Sequence, residues 1–182
     1  MDSSGQRTSS CTSPPPGFFR ATKDWDLIAV VDGNLVAVVE FKSQVGSFGN
    51  NFNNRTEEAL GNATDLWTAY RDGAFKSSQR PWLGYFMLCE DAPKSTRARK
   101  SFPEPHFDVF REFRSTSYAD RYALLCKRLV RERLYDSACL LLSTKDTGPL
   151  GDYREPDHEL SFQVFATQLV AHASAFVKLY RS

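Results

Sequence analysis

Two apolar runs joined by a tight turn constrain this chain more than any other feature. Residues 26–31 (DLIAVV) and 35–41 (LVAVVEF) have the β-branched richness of strands, and the intervening Asp32-Gly33-Asn34 has hairpin-turn chemistry. The second run is apolar on both faces, which marks a central strand covered on two sides. It then drives out Glu40 and Lys42 and continues into a tract crowded with glycine and asparagine, residues 44–55. An antiparallel hairpin that meets at residues 31 and 35 brings Asp26 opposite Glu40 at its far end.

The pattern beyond the hairpin extends it to an α/β sandwich. A helix is expected over 57–71, with Asn54 as N-cap and Leu60, Ala63, Trp67 and Tyr70 as its apolar stripe. A strand follows over 81–89. Next come a helix over 118–134, with Arg121, Arg128 and Arg131 facing out, a strand at Ser137–Ser143, and a last helix over 158–180. The order predicts a mixed β-sheet flanked by helices. Residues 1–17 are rich in serine, threonine and proline and read as a loosely attached leader, with one domain over 18–182.

Composition narrows the function classes. No apolar run reaches the roughly 20 residues a membrane span needs, and the start lacks a secretory h-region. The four cysteines have no metal-ligand spacing, and three of them lie in apolar segments, where a thiol behaves as a small hydrophobe. A reducing cytoplasm is the simplest setting. The net charge is only +1, but KSTRARK (residues 94–100) holds four positive charges and no negative one, a local patch suited to phosphate or to plain solvation. His106, His158 and His172 are dispersed and read as surface or core residues, and Trp67 and Trp82 as core.

Glu40 and Lys42, two apart on a strand, project from one face. Two carboxylates brought close repel unless a cation lies between them, and a hard divalent ion such as Mg²⁺ is held by one or two carboxylates plus water and phosphate oxygens. Asp26 and Glu40 supply that pair, the Phe41 carbonyl can add a ligand, and Lys42 can orient an attacking water. Asp24 competes with Asp26 for its role, and a Glu/Lys pair can also simply cap a strand edge.

The stretches PGFFRATKDWDL, LVAVVEFKSQVGSFGNNFNNR and EEALGNATDLWTAYRDGAF resemble the XhoI family of type II restriction endonucleases, within the PD-(D/E)xK nuclease group. The match is clearest over residues 17–75, and the rest of the chain agrees in order and length. The resemblance implies a restriction-endonuclease-like fold and a bacterial, cytoplasmic, homodimeric, Mg²⁺-dependent enzyme. Such an enzyme cuts both strands of double-stranded DNA at a palindromic hexamer, CTCGAG in the family. It leaves a 5′-phosphate and a 3′-hydroxyl, with a cognate DNA methyltransferase as genetic partner. The family's aspartate and E-x-K correspond to Asp26, Glu40 and Lys42. The amide-rich tract would then enter a groove, offering Gln44, Asn50, Asn51, Asn53 and Arg55 to bases or phosphates. Lys94, Arg97, Arg99 and Lys100 would make sequence-neutral phosphate contacts.

Family members carry helical structure ahead of the PGFFR region, where this chain has its leader. The expectation is therefore an N-terminally truncated copy or a misplaced start. The alternative functions are a catalytically impaired DNA-binding remnant, or another PD-(D/E)xK nuclease, against which the missing Q-x-x-x-Y pattern counts.

Overall fold

In a computed structural model, residues 14–99 and 106–180 are described. β1 (Leu27–Val31) and β2 (Asn34–Gln44) form the expected hairpin, turning on Asp32 and Gly33 at φ 50° and 77°. Both positive values suit the primed turns that match strand twist. β3 (Trp82–Glu90) and β4 (Ser137–Ser143) complete a sheet ordered β1-β2-β3-β4 among the described residues, antiparallel at β1/β2 and parallel thereafter. Parallel neighbours need crossovers, which α1 (Phe48–Arg71) and α3 (Tyr118–Arg131) supply. A one-turn α2 (Pro93–Thr96) follows β3, and α4 (Phe162–Tyr180) closes the chain. The expected mixed sheet flanked by helices is what forms.

One irregularity decides which residues face which layer. Ala29 pairs with Ala37 but Val30 pairs with Leu35, so β2 carries an extra residue at this bulge. Leu35 and Val38 consequently both enter the core beneath α1 and α3, while Ala37 and Val39 face α4 and pack with Phe165. Counting on by twos from Val38, Glu40, Lys42 and Gln44 point to the α1 side. His172 of α4 lies 3.1 Å from the Val36 carbonyl on the opposite layer. Trp67 and Trp82 are core residues, and so are the free thiols of Cys89, Cys126 and Cys139. Burial pushes the Cys89 and Cys139 thiols up to about 12, which leaves them unreactive.

Four expectations need correction. α1 begins at Phe48, not at residue 57: Phe48 stacks on Tyr118 at 5.7 Å and Phe52 meets Tyr122 edge-on at 5.2 Å. Aromatics four apart on one helix face anchor a turn that its asparagines alone would not favour. The amide-rich tract is therefore mostly helix, and Asn54 lies inside it rather than capping it. The start is Ser47, in the left-handed region at φ 43°. Leu60 is exposed, because the buried stripe runs through Ala59, Ala63, Leu66 and Trp67. Arg121 turns inward, its Nε donating to Thr116 Oγ1 at 3.1 Å. The last helix starts at Phe162, after a 3₁₀ turn at His158–Leu160. Of the leader, residues 1–13 lie outside the described residues, while Pro16 bridges to Thr22.

Candidate active site

Beyond residue 39 the sheet loses its β1 partner. The last pair of that ladder is Leu27 with Val39, so Asp26 stands next to Glu40 in register. Asp26 Oδ2 takes the place of the missing ladder acceptor, receiving the Phe41 N–H at 2.7 Å. A strand residue directs its N–H and C=O to the same side, so the Phe41 carbonyl also faces this open edge. The Phe41 ring turns to the other layer and contacts Phe86 at 5.3 Å.

Glu40 is 1 % exposed, and a buried carboxylate is stable only when charge and hydrogen bonds compensate its lost hydration. Its Oε1 receives Lys42 Nζ at 2.5 Å and Asn62 Nδ2 at 3.3 Å, and its Oε2 receives Lys23 Nζ at 2.9 Å. Lys42 Nζ also lies 3.8 Å from Glu58 Oε2, which Arg55 Nη1 contacts at 2.7 Å. Lys42 and Glu40 are thus in contact where β2 emerges, and Asp26 lies next to Glu40 in register with its carboxylate on the Phe41 N–H.

Several contributors escaped the sequence reading. Asn62 is oriented by Arg20, whose Nη2 donates to Asn62 Oδ1 at 2.8 Å while its Nε donates to Asp65 Oδ2 at 2.6 Å. Asp65 Oδ1 accepts the Phe18 and Phe19 N–H groups at 2.7 and 2.8 Å. Burial works to raise the Asp65 pKa, but the Phe19 amide, the Arg20 guanidinium and the Phe18 amide outweigh it and hold the carboxyl below its ordinary range. Gly17 is required in this corner, since a Cβ there would lie 2.5 Å from Asp65 Oδ2. The PGFFR segment therefore docks on α1 and holds Asn62 against Glu40. The available signal was Asn62 and Asp65 flanking a buried stripe of α1; Lys23 gave none.

The proposed DNA contacts do not share one setting. Gln44 is buried, with Nε2 donating to the Gly46 carbonyl at 2.5 Å and Oε1 accepting the Tyr122 hydroxyl at 3.3 Å. It is a strut beneath the loop and is withdrawn from the groove-facing set, because both ends of its amide are engaged internally. Asn50 lies with Lys94, Arg97 and Arg99 around a cavity of about 470 Å³ at the start of α1. Asn53 opens onto a neighbouring one of about 640 Å³, Asn51 is half-buried, and Arg55 is tied to Glu58. Lys100 lies outside the described residues.

Among the described residues no cluster of three or more His, Cys, Asp or Glu forms a metal cage. Two carboxylates and one carbonyl at an open edge are still an all-oxygen set of the kind a hard divalent ion uses together with water and phosphate. The residues fit such an ion.

The sheet order, with helices on both faces, is that of a restriction-endonuclease-like α/β fold. The family model for restriction endonuclease XhoI matches residues 3–155. Type II restriction enzyme BstVI of Geobacillus stearothermophilus is 51 % identical over 173 residues, covering 92 % of this chain and 77 % of that one. Type II restriction enzyme AbrI of Azospirillum brasilense is 61 % identical over 101 residues, which cover 55 % of this chain and 45 % of the relative. Type II restriction enzyme XhoI of Xanthomonas vasicola is 50 % identical over 116 residues, which cover 63 % and 46 %. No solved structure matches. The chain belongs to the XhoI restriction endonuclease family, whose members are type II site-specific deoxyribonucleases.

Proposed function

We propose that this chain hydrolyses both strands of double-stranded DNA at CTCGAG, with Mg²⁺, leaving a 5′-phosphate and a 3′-hydroxyl. The observation that carries the reading is the trio at the open end of the hairpin: Lys42 Nζ on Glu40 at 2.5 Å, with Asp26 closing on the Phe41 N–H at 2.7 Å.

In this reading Asp26, Glu40 and the Phe41 carbonyl hold the metal. When bound, it would polarise a phosphoryl oxygen and make water a stronger nucleophile. Lys42 orients that water and offsets negative charge developing on the phosphorus. Asn62 keeps Glu40 aimed while Arg20 keeps Asn62 aimed. Exposed Lys94, Arg97 and Arg99 position the DNA backbone beside the start of α1, and Asn50, Asn51, Asn53 and Arg55 are the candidates for base or phosphate contact there. Cutting both strands of a two-fold symmetric site calls for two copies of this centre, hence a homodimer acting on cytoplasmic DNA, with a methyltransferase protecting the host sequence. Among the described residues no helix is long and apolar enough to cross a membrane.

The test is digestion of a plasmid carrying one CTCGAG, with Mg²⁺ and with EDTA. A single linear product that a ligase can reseal, formed only with metal, is expected. Retention of the duplex without cutting would instead favour a DNA-binding remnant, and cutting at unrelated sites would remove the sequence assignment.

A further inference from the structure

Glu40 carries more positive charge than an E-x-K pair requires. Lys42 reaches it along the same strand, but Lys23 arrives from the segment ahead of β1 and takes the other oxygen. Its ammonium also donates to the Asp24 carbonyl at 2.6 Å and lies 4.5 Å from the centroid of the Trp25 ring. The Lys23 side chain is only 13 % exposed, so this is a built position and not a passing surface contact.

A carboxylate oxygen offers two lone-pair directions. On Glu40 Oε1 both are taken, by Lys42 and Asn62, whereas Oε2 holds Lys23 alone. Oε2 is therefore the oxygen able to accept one more ligand, and an ammonium stands beside it. A divalent cation and an ammonium on one oxygen repel strongly where water is scarce. The lysine can give way: it lies in irregular chain between the Thr22 bridge and Leu27, and the Asp24 carbonyl it leaves belongs to an exposed residue that water can reach.

Resting on the metal-site reading above, we propose that Lys23 and the divalent cation compete for Glu40 Oε2. Lys23 is then a resident counter-ion that aims the buried carboxylate and sets how readily the metal enters.

The experiment is a Mn²⁺ titration of DNA-free protein, with free Mn²⁺ followed by electron paramagnetic resonance, on wild type, Lys23→Met, Lys23→Arg and Glu40→Gln. Circular dichroism verifies that each variant is folded. Lys23→Met keeps an unbranched stem against Trp25 and removes the charge; it should bind Mn²⁺ about tenfold more tightly, the scale on which one neighbouring like charge shifts an ionic equilibrium. Lys23→Arg should stay near wild type. Unchanged or weaker binding in Lys23→Met, or equal tightening in Lys23→Arg, overturns the competition while leaving the metal site intact, provided Glu40→Gln no longer binds. If Glu40→Gln binds Mn²⁺ as well as wild type does, the metal is not on Glu40, and both this inference and the site assignment fall.

Discussion

A carboxylate held by two ammonium groups and an amide makes truncation ambiguous at the residue scale, because removing Glu40 outright leaves Lys23 and Lys42 facing each other. Glu40→Gln keeps the shape and is the cleaner variant; it should abolish cleavage while folding persists. Lys42→Ala leaves Glu40 still partnered by Lys23 and Asn62. It should lower the cleavage rate by at least about 10²-fold, the usual cost of removing one group that stabilises transition-state charge, with duplex binding retained. A Lys42→Ala protein that cuts at the wild-type rate would remove Lys42 from the chemistry. Gln44 makes the opposite case. Gln44→Ala strands the Tyr122 hydroxyl and the Gly46 carbonyl, so stability should fall by about 2 kcal/mol, read by chemical denaturation. Its cleavage sequence should not change; a relaxed sequence preference would return Gln44 to the DNA-reading set. Glu40 and Lys42 share a face by strand period, which is arithmetic on sequence positions. The expected pairing of residues 31 and 35 is off by one, since Val31 pairs with Asn34, and it is the bulge after Ala29 that restores Asp26 opposite Glu40. Lys23 and Asn62 were not legible, since they approach Glu40 from other elements and only packing brings them there.

At the scale of elements, the site depends on one docking event. Gly17, Phe18, Phe19 and Arg20 attach to α1 through Asp65. Because the folded pKa of Asp65 lies below its unfolded value, its contribution is fully present above the ordinary aspartate range and fades as pH falls through the lowered folded value. Asp65→Asn should therefore cost about 2 kcal/mol near neutral pH, a typical value for hydrogen bonds to a charged group. The gap in melting temperature between wild type and variant should narrow below about pH 4, the ordinary aspartate range. A gap that stays constant down to acid would mean that the charge of Asp65 does not matter to docking. The two ends of α1 also show what sequence could and could not tell. Its C-terminal half declared itself by the spacing of Ala63, Trp67 and Tyr70, all of which pack on the core. Its first turns were hidden by glycine and asparagine composition, although Phe48 and Phe52, four apart, were the signal that mattered.

At the scale of the whole molecule, a net charge of +1 means that attraction to DNA must come from a local arrangement. The exposed cations of α2 and the segment after it, Lys94, Arg97 and Arg99, gather beside the N-terminal turn of α1, which adds its own partial positive charge. If each meets one phosphate, the slope of log K against log salt should become shallower by about 0.9 for each residue neutralised, or nearly three for the triple glutamine variant. Affinity should fall equally for CTCGAG and unrelated duplexes, since phosphate contacts carry no sequence information. Asn50→Ala, made in the same cavity, is the contrasting variant. If Asn50 hydrogen-bonds a base edge, this truncation should cost about 1–3 kcal/mol on CTCGAG alone and leave the salt slope unchanged. Fluorescence anisotropy across a salt series measures both quantities on the same duplexes. A triple variant whose slope matches wild type would mean that the DNA approaches a different face from the one beside α1, and the cavity at Asn50 would then have to be explained without it.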